Sequence, residues 1–190
     1  AFACAPCRQW HFAWHSCHHK ACPQCGAAAT ARWVQRELAK LVNAPYFLVT
    51  FTLPAQLREC FFGPHAREAY DLFFTAAAGA LAEKLATDKG LRADVHGFTA
   101  VLHTWTQTFD HHPHIHCIAT GGGLSQDAER WISSRPNFFL PVRKLSKVFR
   151  GKLLEAFELA LREGRLRTKE AAGCLLLRRA AFSQIDGFDP

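Results

Sequence analysis

Five of the eight cysteines lie within the first 25 residues, and four of these form two C-x-x-C pairs, Cys4/Cys7 and Cys22/Cys25, with 14 residues between the pairs. A segment this short cannot bury a core of its own. Two thiolate pairs at this separation have the spacing of a four-cysteine structural zinc site, each pair turning tightly so that its sulfurs converge. Pro23 and Gly26 suit such a turn. A secreted disulfide protein would spread its cysteines across the fold, so the clustering points to metal in a reducing compartment. One C-x-x-C alone could be a redox pair; two in so short a stretch favour zinc. Bound metal would supply much of the folding free energy. Because all four positions are closed by thiolates, the expected role is docking rather than catalysis. Cys17 lies between the pairs among His11, His15, His18 and His19 and is a possible additional metal ligand. Cys60, Cys117 and Cys174 stand alone in apolar surroundings and read as small buried hydrophobes.

The rest of the chain alternates helix and strand signals. Trp33, Val34, Leu38, Leu41 and Val42 recur at helical spacing, predicting a helix over 27–43 that ends at Asn43-Ala44-Pro45. From Tyr46 to Leu53 the residues are β-branched and aromatic, with Phe47, Val49, Phe51 and Leu53 on one face, as in a strand with a declared core side. A second helix is expected over 66–87, with Gly90 as terminator. Residues 97–120 read as a hairpin, its strands Phe98–Gln107 and Pro113–Thr120, its turn near Asp110, broken by Gly121-Gly122-Gly123. A short strand is expected at Phe138-Phe139-Leu140. Ser146 is expected to cap a helix carrying Phe149, Leu153, Phe157 and Leu161, closed by Gly164. This order predicts an α+β fold with a mainly antiparallel sheet. The expected division is 1–43, zinc module and connecting helix, and 44–190, the domain that follows.

Composition narrows the function. The chain is 49% hydrophobic and 21% charged, an ordinary globular balance, with no apolar run long enough for a transmembrane helix and no secretory signal, so no membrane partner is expected. The net charge of +7 is concentrated between Arg143 and Arg179, where eleven basic residues face four glutamates. Such a surplus is the footprint of a phosphate-backbone partner, although a solvated helix face has the same look. The chain starts with Ala1 and contains no Met, which reads as a fragment or a processed product.

In an extended strand His112, His114 and His116 share one face, while Pro113, Ile115 and Cys117 share the other. Neutral imidazoles at this spacing can chelate one ion and leave positions open for water or substrate. His103, Trp105 and Gln107 on the preceding strand alternate in the same way and could complete the ligand set. Two chemistries compete. The segment His112–Ile118 resembles the histidine-triad nucleotide hydrolases and transferases, in which His114 would attack a phosphate. Alternatively, His114-Ile115-His116 resembles the His-hydrophobe-His pair of the HUH nucleases. A zinc-dependent DNA-binding module without catalysis is a third possibility.

A wider set of motifs decides between them: the two C-x-x-C pairs with Ser16-Cys17, Pro45-Tyr46-Phe47, Phe51-Thr52-Leu53-Pro54, Val101-Leu102-His103-Thr104-Trp105-x-Gln107, His112–Cys117, the 121–124 turn and Phe138-Phe139-Leu140-Pro141-Val142-Arg143. In this order they resemble the bacterial rolling-circle insertion-sequence transposases of the HUH class, relatives of the eukaryotic helitrons. The chain departs from that family at Lys20-Ala21, where an Arg-His pair is usual, and at Thr106, where Gly is usual. The resemblance implies a zinc-ribbon-like module followed by an HUH-type antiparallel sheet packed with helices, ferredoxin- or RRM-like in layout. It implies Mg2+ or Mn2+ on His114 and His116 with Gln107 as third ligand, His103 and His112 being possible additional ligands. It implies single-stranded transposon ends as substrate, held in part by Arg143, Lys144, Lys147 and Arg150, in a cytoplasmic, nucleoid-associated bacterial protein; it leaves the oligomeric state unassigned. A tyrosine would attack the scissile phosphate, leaving a 5′-phosphotyrosine and a free 3′ hydroxyl. Tyr46 and Tyr70 read as packing residues, so the nucleophile is expected beyond Pro190 and these 190 residues are expected to bind metal and DNA without cleaving.

Overall fold

The structure, a computed structural model, describes residues 2–12, 17, 22–88, 91, 93–135, 137 and 139–166. It divides into two compact units, Ala1–Asn43 and Ala44–Pro190. In the first unit, β1 (Phe2–Ala3) pairs antiparallel with β2 (Trp10–His11). The first cysteine pair sits in the turn between them. The Arg8 amide donates to the Cys4 carbonyl at 2.8 Å and the Cys4 amide to that of Gln9 at 2.9 Å. Arg8 takes the left-handed conformation this turn needs, φ 54°. α1 (Pro23–Leu38) springs directly from the second pair, with Pro23 in its first turn, where a missing N–H costs nothing. It therefore begins four residues earlier than the apolar periodicity suggests and stops short of 43.

The second unit is an α+β fold. Its elements are β3 (Tyr46–Thr52), a 3-10 helix (Ala55–Phe61), α2 (Ala66–Thr87), β4 (Phe98–Trp105), β5 (His111–Thr120), β6 (Gly122–Leu124), β7 (Trp131–Ser133) and α3 (Val142–Arg162). β5 is the central strand of an antiparallel sheet ordered β3-β5-β4. Its register builds rows three residues wide. Phe51–Ile115–Leu102, Val49–Cys117–Ala100 and Phe47–Ala119–Phe98 lie on one face; Thr52–His114–His103, Thr50–His116–Val101 and Leu48–Ile118–Thr99 lie on the other. The first set faces the core with α2, α3 and the 3-10 helix, where Ile115, Cys117, Phe73 and Leu153 are fully buried. The Phe51 ring meets Phe149 of α3 at 4.9 Å, and Phe61 packs edge-on to Phe73 of α2. Lys152 of α3 pairs with Glu83 of α2 at 2.9 Å, an exposed bridge whose contribution is small beside this apolar burial.

Several boundaries differ from those expected. The hairpin turn occupies 106–110, closed by the Thr106 amide on the Asp110 carbonyl (3.0 Å) and by Thr108 Oγ1 on the Asp110 carboxylate (2.6 Å). β4 thus ends at Trp105 and β5 starts at His111. The glycine run continues into β6, which pairs with β7, because a Cβ on Gly123 would lie 2.2 Å from the Val95 carbonyl oxygen and one on Gly122 2.5 Å from that of Ile132. Phe139 and Leu140 form no strand; both are core residues, Phe139 stacked on Phe47 at 4.8 Å. α3 starts after Pro141 rather than at Ser146, since proline presets the first turn. Gly164, φ 72°, terminates it as expected. His15, His18, His19, Lys20, Ala21, Gly90, Phe138, Cys174 and the basic residues from Arg167 onward lie outside the described residues. Among the described residues no helix is long and apolar enough to cross a membrane.

Neighbouring residues of β5 test whether face alternation holds the sheet. Ile115→Ala should cost about 2–5 kcal/mol of unfolding free energy in a urea titration. Ile118→Ala, on the face that none of the described elements covers (the uncovered face), should stay within about 0.5 kcal/mol of the unsubstituted chain. Equal losses at the two positions would contradict this assignment of faces.

Candidate metal centres

On the uncovered face of the sheet, one ligand atom each from His103, His114 and His116 lies within 4.8 Å of the others. Strand alternation places His114 and His116 side by side, and the β4–β5 register sets His103 directly opposite His114. The imidazole rings are 4.8–5.2 Å apart, centre to centre. Hydrogen bonds select which nitrogen is free. His114 Nδ1 lies 2.7 Å from the His112 carbonyl oxygen. A carbonyl can only accept, so Nδ1 carries the proton and Nε2 keeps its lone pair. His116 Nδ1 lies 3.0 Å from Thr50 Oγ1 on the neighbouring strand, a contact that directs its Nε2 outward in the same way. Burial lowers the pKa of His116, and the neighbouring His103 and His114 lower it further. Both effects favour the neutral imidazole, the form that binds metal.

His112 is held differently. Arg58 of the 3-10 helix donates through Nη2 to His112 Nδ1 at 2.7 Å. A guanidinium has no acceptor, so His112 carries its proton on Nε2 and has no lone pair left for a metal. Burial is again the first cause of its lowered pKa, with Arg58 second. His111 points to the covered face, where its Nε2 meets the Tyr70 hydroxyl at 2.8 Å. Burial lowers the pKa of His111 and raises that of Tyr70.

Gln107 falls in the hairpin turn beyond the last β4–β5 pair, Trp105–His111, and is exposed. The structure brings His103 to His114 and His116 instead. Strand alternation alone put His103 and Gln107 on one face; the bulge between His103 and Trp105 and the early turn separate them. Thr50 and Arg58 were not read from the sequence as site residues. Thr50 could have been found by continuing the alternation from Leu48 to Thr52, whereas Arg58 had no signal. Arg143, Lys144 and Lys147 lie on the exposed side of α3, with Arg150 half-buried a turn further on. α3 packs on the covered face, so these residues lie on the opposite side of the unit from the histidines.

In the first unit, the sulfurs of Cys17, Cys22 and Cys25 lie within 4.8 Å of one another. Cys17 and Cys25 are 3.5 Å apart, sulfur to sulfur. Tetrahedral thiolates on zinc, with bonds of about 2.3 Å, would lie about 3.8 Å apart. Cys22 caps α1 and Cys25 lies in its first turn, so helix formation alone brings that pair together. Cys4 and Cys7, in the β1–β2 turn, fall outside this cluster.

Residues 1–53 match the family described as "Transposase zinc-binding domain", and residues 97–183 match the family described as "Putative transposase". Transposase families thus match both units of the chain. One relative, "Putative transposase y4qJ" of Sinorhizobium fredii, is 43% identical over 86% of this chain and 41% of its own length. The transposase for insertion sequence element IS801 of Pseudomonas savastanoi pv. phaseolicola is 37% identical over 59% of this chain and 26% of its own. The chain thus spans less than half the length of these curated relatives. No solved structure matches it. Both matches are to transposase families, and the zinc-binding one covers the cysteine cluster.

The lowered histidine pKa values carry a pH signature. Folded His111, His112 and His116 release protons more readily than the unfolded chain, whose histidines titrate near 6.5. Unfolding therefore takes up protons as the pH falls below about 6.5, and stability is greatest above that value. In EDTA, the urea midpoint should drop between pH 7.5 and 5.5, and His111→Phe with His112→Asn should flatten the drop. An unchanged slope in that double variant would show that other groups carry it.

Proposed function

We propose that the second unit of this chain is a metal-dependent domain for nicking single-stranded DNA and transferring the cut strand. The observation that carries this reading is the convergence of His103, His114 and His116 on an uncovered sheet face, with the Nε2 atoms of His114 and His116 free. Three imidazoles without a carboxylate suit a borderline divalent ion better than a hard one, so of the two ions expected Mn2+ fits better than Mg2+. Such an ion would supply Lewis-acid polarisation of the scissile phosphodiester. The protein's part is to hold the imidazoles: Thr50 orients His116, the His112 carbonyl orients His114, and the flat sheet face leaves room for an extended strand.

The two tyrosines do not serve this face. The Tyr70 hydroxyl is bonded to His111 on the covered side, and burial raises its pKa. Tyr46 pairs with Thr120, four residues along β3 from the Thr50–His116 pair, roughly 13 Å at the rise of a strand. The nucleophile in this proposal is therefore a tyrosine other than these two. In the first unit we propose zinc on Cys17, Cys22 and Cys25, with Cys4 and Cys7 on the hairpin turn as the source of the closing thiolate.

Calorimetric titration with Mn2+ tests the histidine centre. His114→Ala and His116→Ala should each weaken binding by well over tenfold, Thr50→Ala by about tenfold through loss of orientation, and Gln107→Ala not at all. Unchanged Mn2+ affinity in the His114/His116 double variant would defeat the metal reading. If that variant also bound single-stranded DNA normally and the ion had no effect, a non-catalytic DNA-binding module would be the better description. The 190-residue chain with Mn2+ and labelled single-stranded DNA should form no covalent adduct on a denaturing gel; a robust adduct would mean Tyr46 or Tyr70 is the nucleophile. A zinc chelator should abolish the helical signal of α1 while leaving that of α2 and α3.

A further inference from the structure

Arg58 is a half-buried guanidinium without a counter-charge. Among the described residues no carboxylate pairs with it, and its Nε is buried with no hydrogen-bond partner. Its Nη2 donates a 2.7 Å hydrogen bond to His112 Nδ1. The 3-10 helix that carries it is pinned to the core by Leu57 and Phe61, 1% and 2% exposed, so its backbone is held in place. A cation drawn partly out of water without an anion costs stability. Such a cost is retained where a bound anion removes it.

Position suggests which anion. His116, His114 and His112 follow one another on one face of β5, with ring centres 4.8 and 5.5 Å apart, and Arg58 is hydrogen-bonded to the last of them. The first two histidines belong to the metal trio; the third is excluded from it by its tautomer and instead holds the arginine. We propose that Arg58 is a phosphate-binding residue for single-stranded DNA, taking a backbone phosphate next to the one at the metal centre, and that His112 is the positioning residue that aims it. A planar guanidinium matches the paired oxygens of a phosphodiester better than an ammonium does. The assignment rests on the proposed function, and it gives the third histidine of the triplet a role that metal binding leaves vacant.

The experiment uses the 190-residue chain, a fluorescent mixed-sequence single-stranded oligonucleotide and a salt titration, run once with Mn2+ and once with EDTA. Each phosphate contact on a single strand contributes about 0.7 to the slope of log affinity against log salt. Arg58→Gln should lower the slope by about that amount and weaken binding several-fold at ~0.1 M salt. Arg58→Lys should keep the slope, because the charge remains, and recover only part of the affinity. His112→Leu should behave like Arg58→Gln, whereas His112→Asn, which keeps an acceptor near the Nδ1 position, should behave like the unsubstituted chain. Mn2+ affinity should be unchanged in all four variants. An unaltered slope and affinity in Arg58→Gln would overturn the proposal, and so would loss of Mn2+ binding in that variant, since Arg58 would then be supporting the metal centre. Should Arg58→Gln prove unfolded by circular dichroism, the two His112 variants decide: equal slopes would overturn it. If the unsubstituted chain binds no Mn2+, the metal reading fails, while the slopes in EDTA still decide for or against Arg58.

Discussion

The two-sided pairing of β5 is the constraint on which the second unit depends. Both edges of the strand are satisfied by β3 and β4, so its faces are set by side-chain chemistry alone. Pro113, Ile115, Cys117 and Ala119 are buried; His112, His114 and His116 are not. A one-residue slip would place three imidazoles in the core and expose the apolar set. Burying a polar ring without a partner costs a few kcal/mol, and exposing Ile115 forfeits about 1.5–3 more. The register is therefore strongly specified, and the spacing of His103, His114 and His116 follows from it. Cys117 illustrates the division: burial pushes its thiol up to about 11, making it an inert packing residue only one position from a proposed metal ligand.

Register places the imidazoles, but hydrogen bonds decide what each one does. Three histidines at equivalent positions on one face differ because their Nδ1 atoms meet a carbonyl oxygen, a threonine hydroxyl and a guanidinium. The carbonyl requires a proton on Nδ1 of His114, the guanidinium forbids one on Nδ1 of His112, and the hydroxyl of Thr50 accommodates His116. One run of identical side chains thus divides into two proposed ligands and a partner for Arg58.

The strand alternation was legible in the sequence because period-two patterning is a direct consequence of backbone geometry. The span of α2 and the core face of β3 were equally plain. What stayed hidden depended on contacts between distant segments. Gln107 seemed equivalent to His103 until the Thr106–Asp110 turn ended β4 early. The glycine run looked like a break because nothing local shows that Val95 and Ile132 will pass within a few ångströms of it. Cys17, one thiol among histidines, had no paired spacing to advertise it; its meeting with Cys25 depends on how the chain returns to α1. Arg58 is the clearest case, an arginine in an apolar stretch whose partner lies 54 residues away.

The position of the basic residues on α3 limits what they can do. Arg143, Lys144 and Lys147 lie on the outer side of a helix about 10–12 Å across, and the sheet lies between that helix and the histidines. At physiological ionic strength exposed charges are screened over about 8 Å. Their field therefore has little effect on a strand lying along the uncovered face. On the proposed reading, any DNA held by this surface would be a different stretch from the one at the histidines, either the same molecule carried round the edge of the sheet or a separate segment. The local charge that the proposed function needs at the histidines would then have to come from nearby, and Arg58 is the cation already bonded to the histidine row.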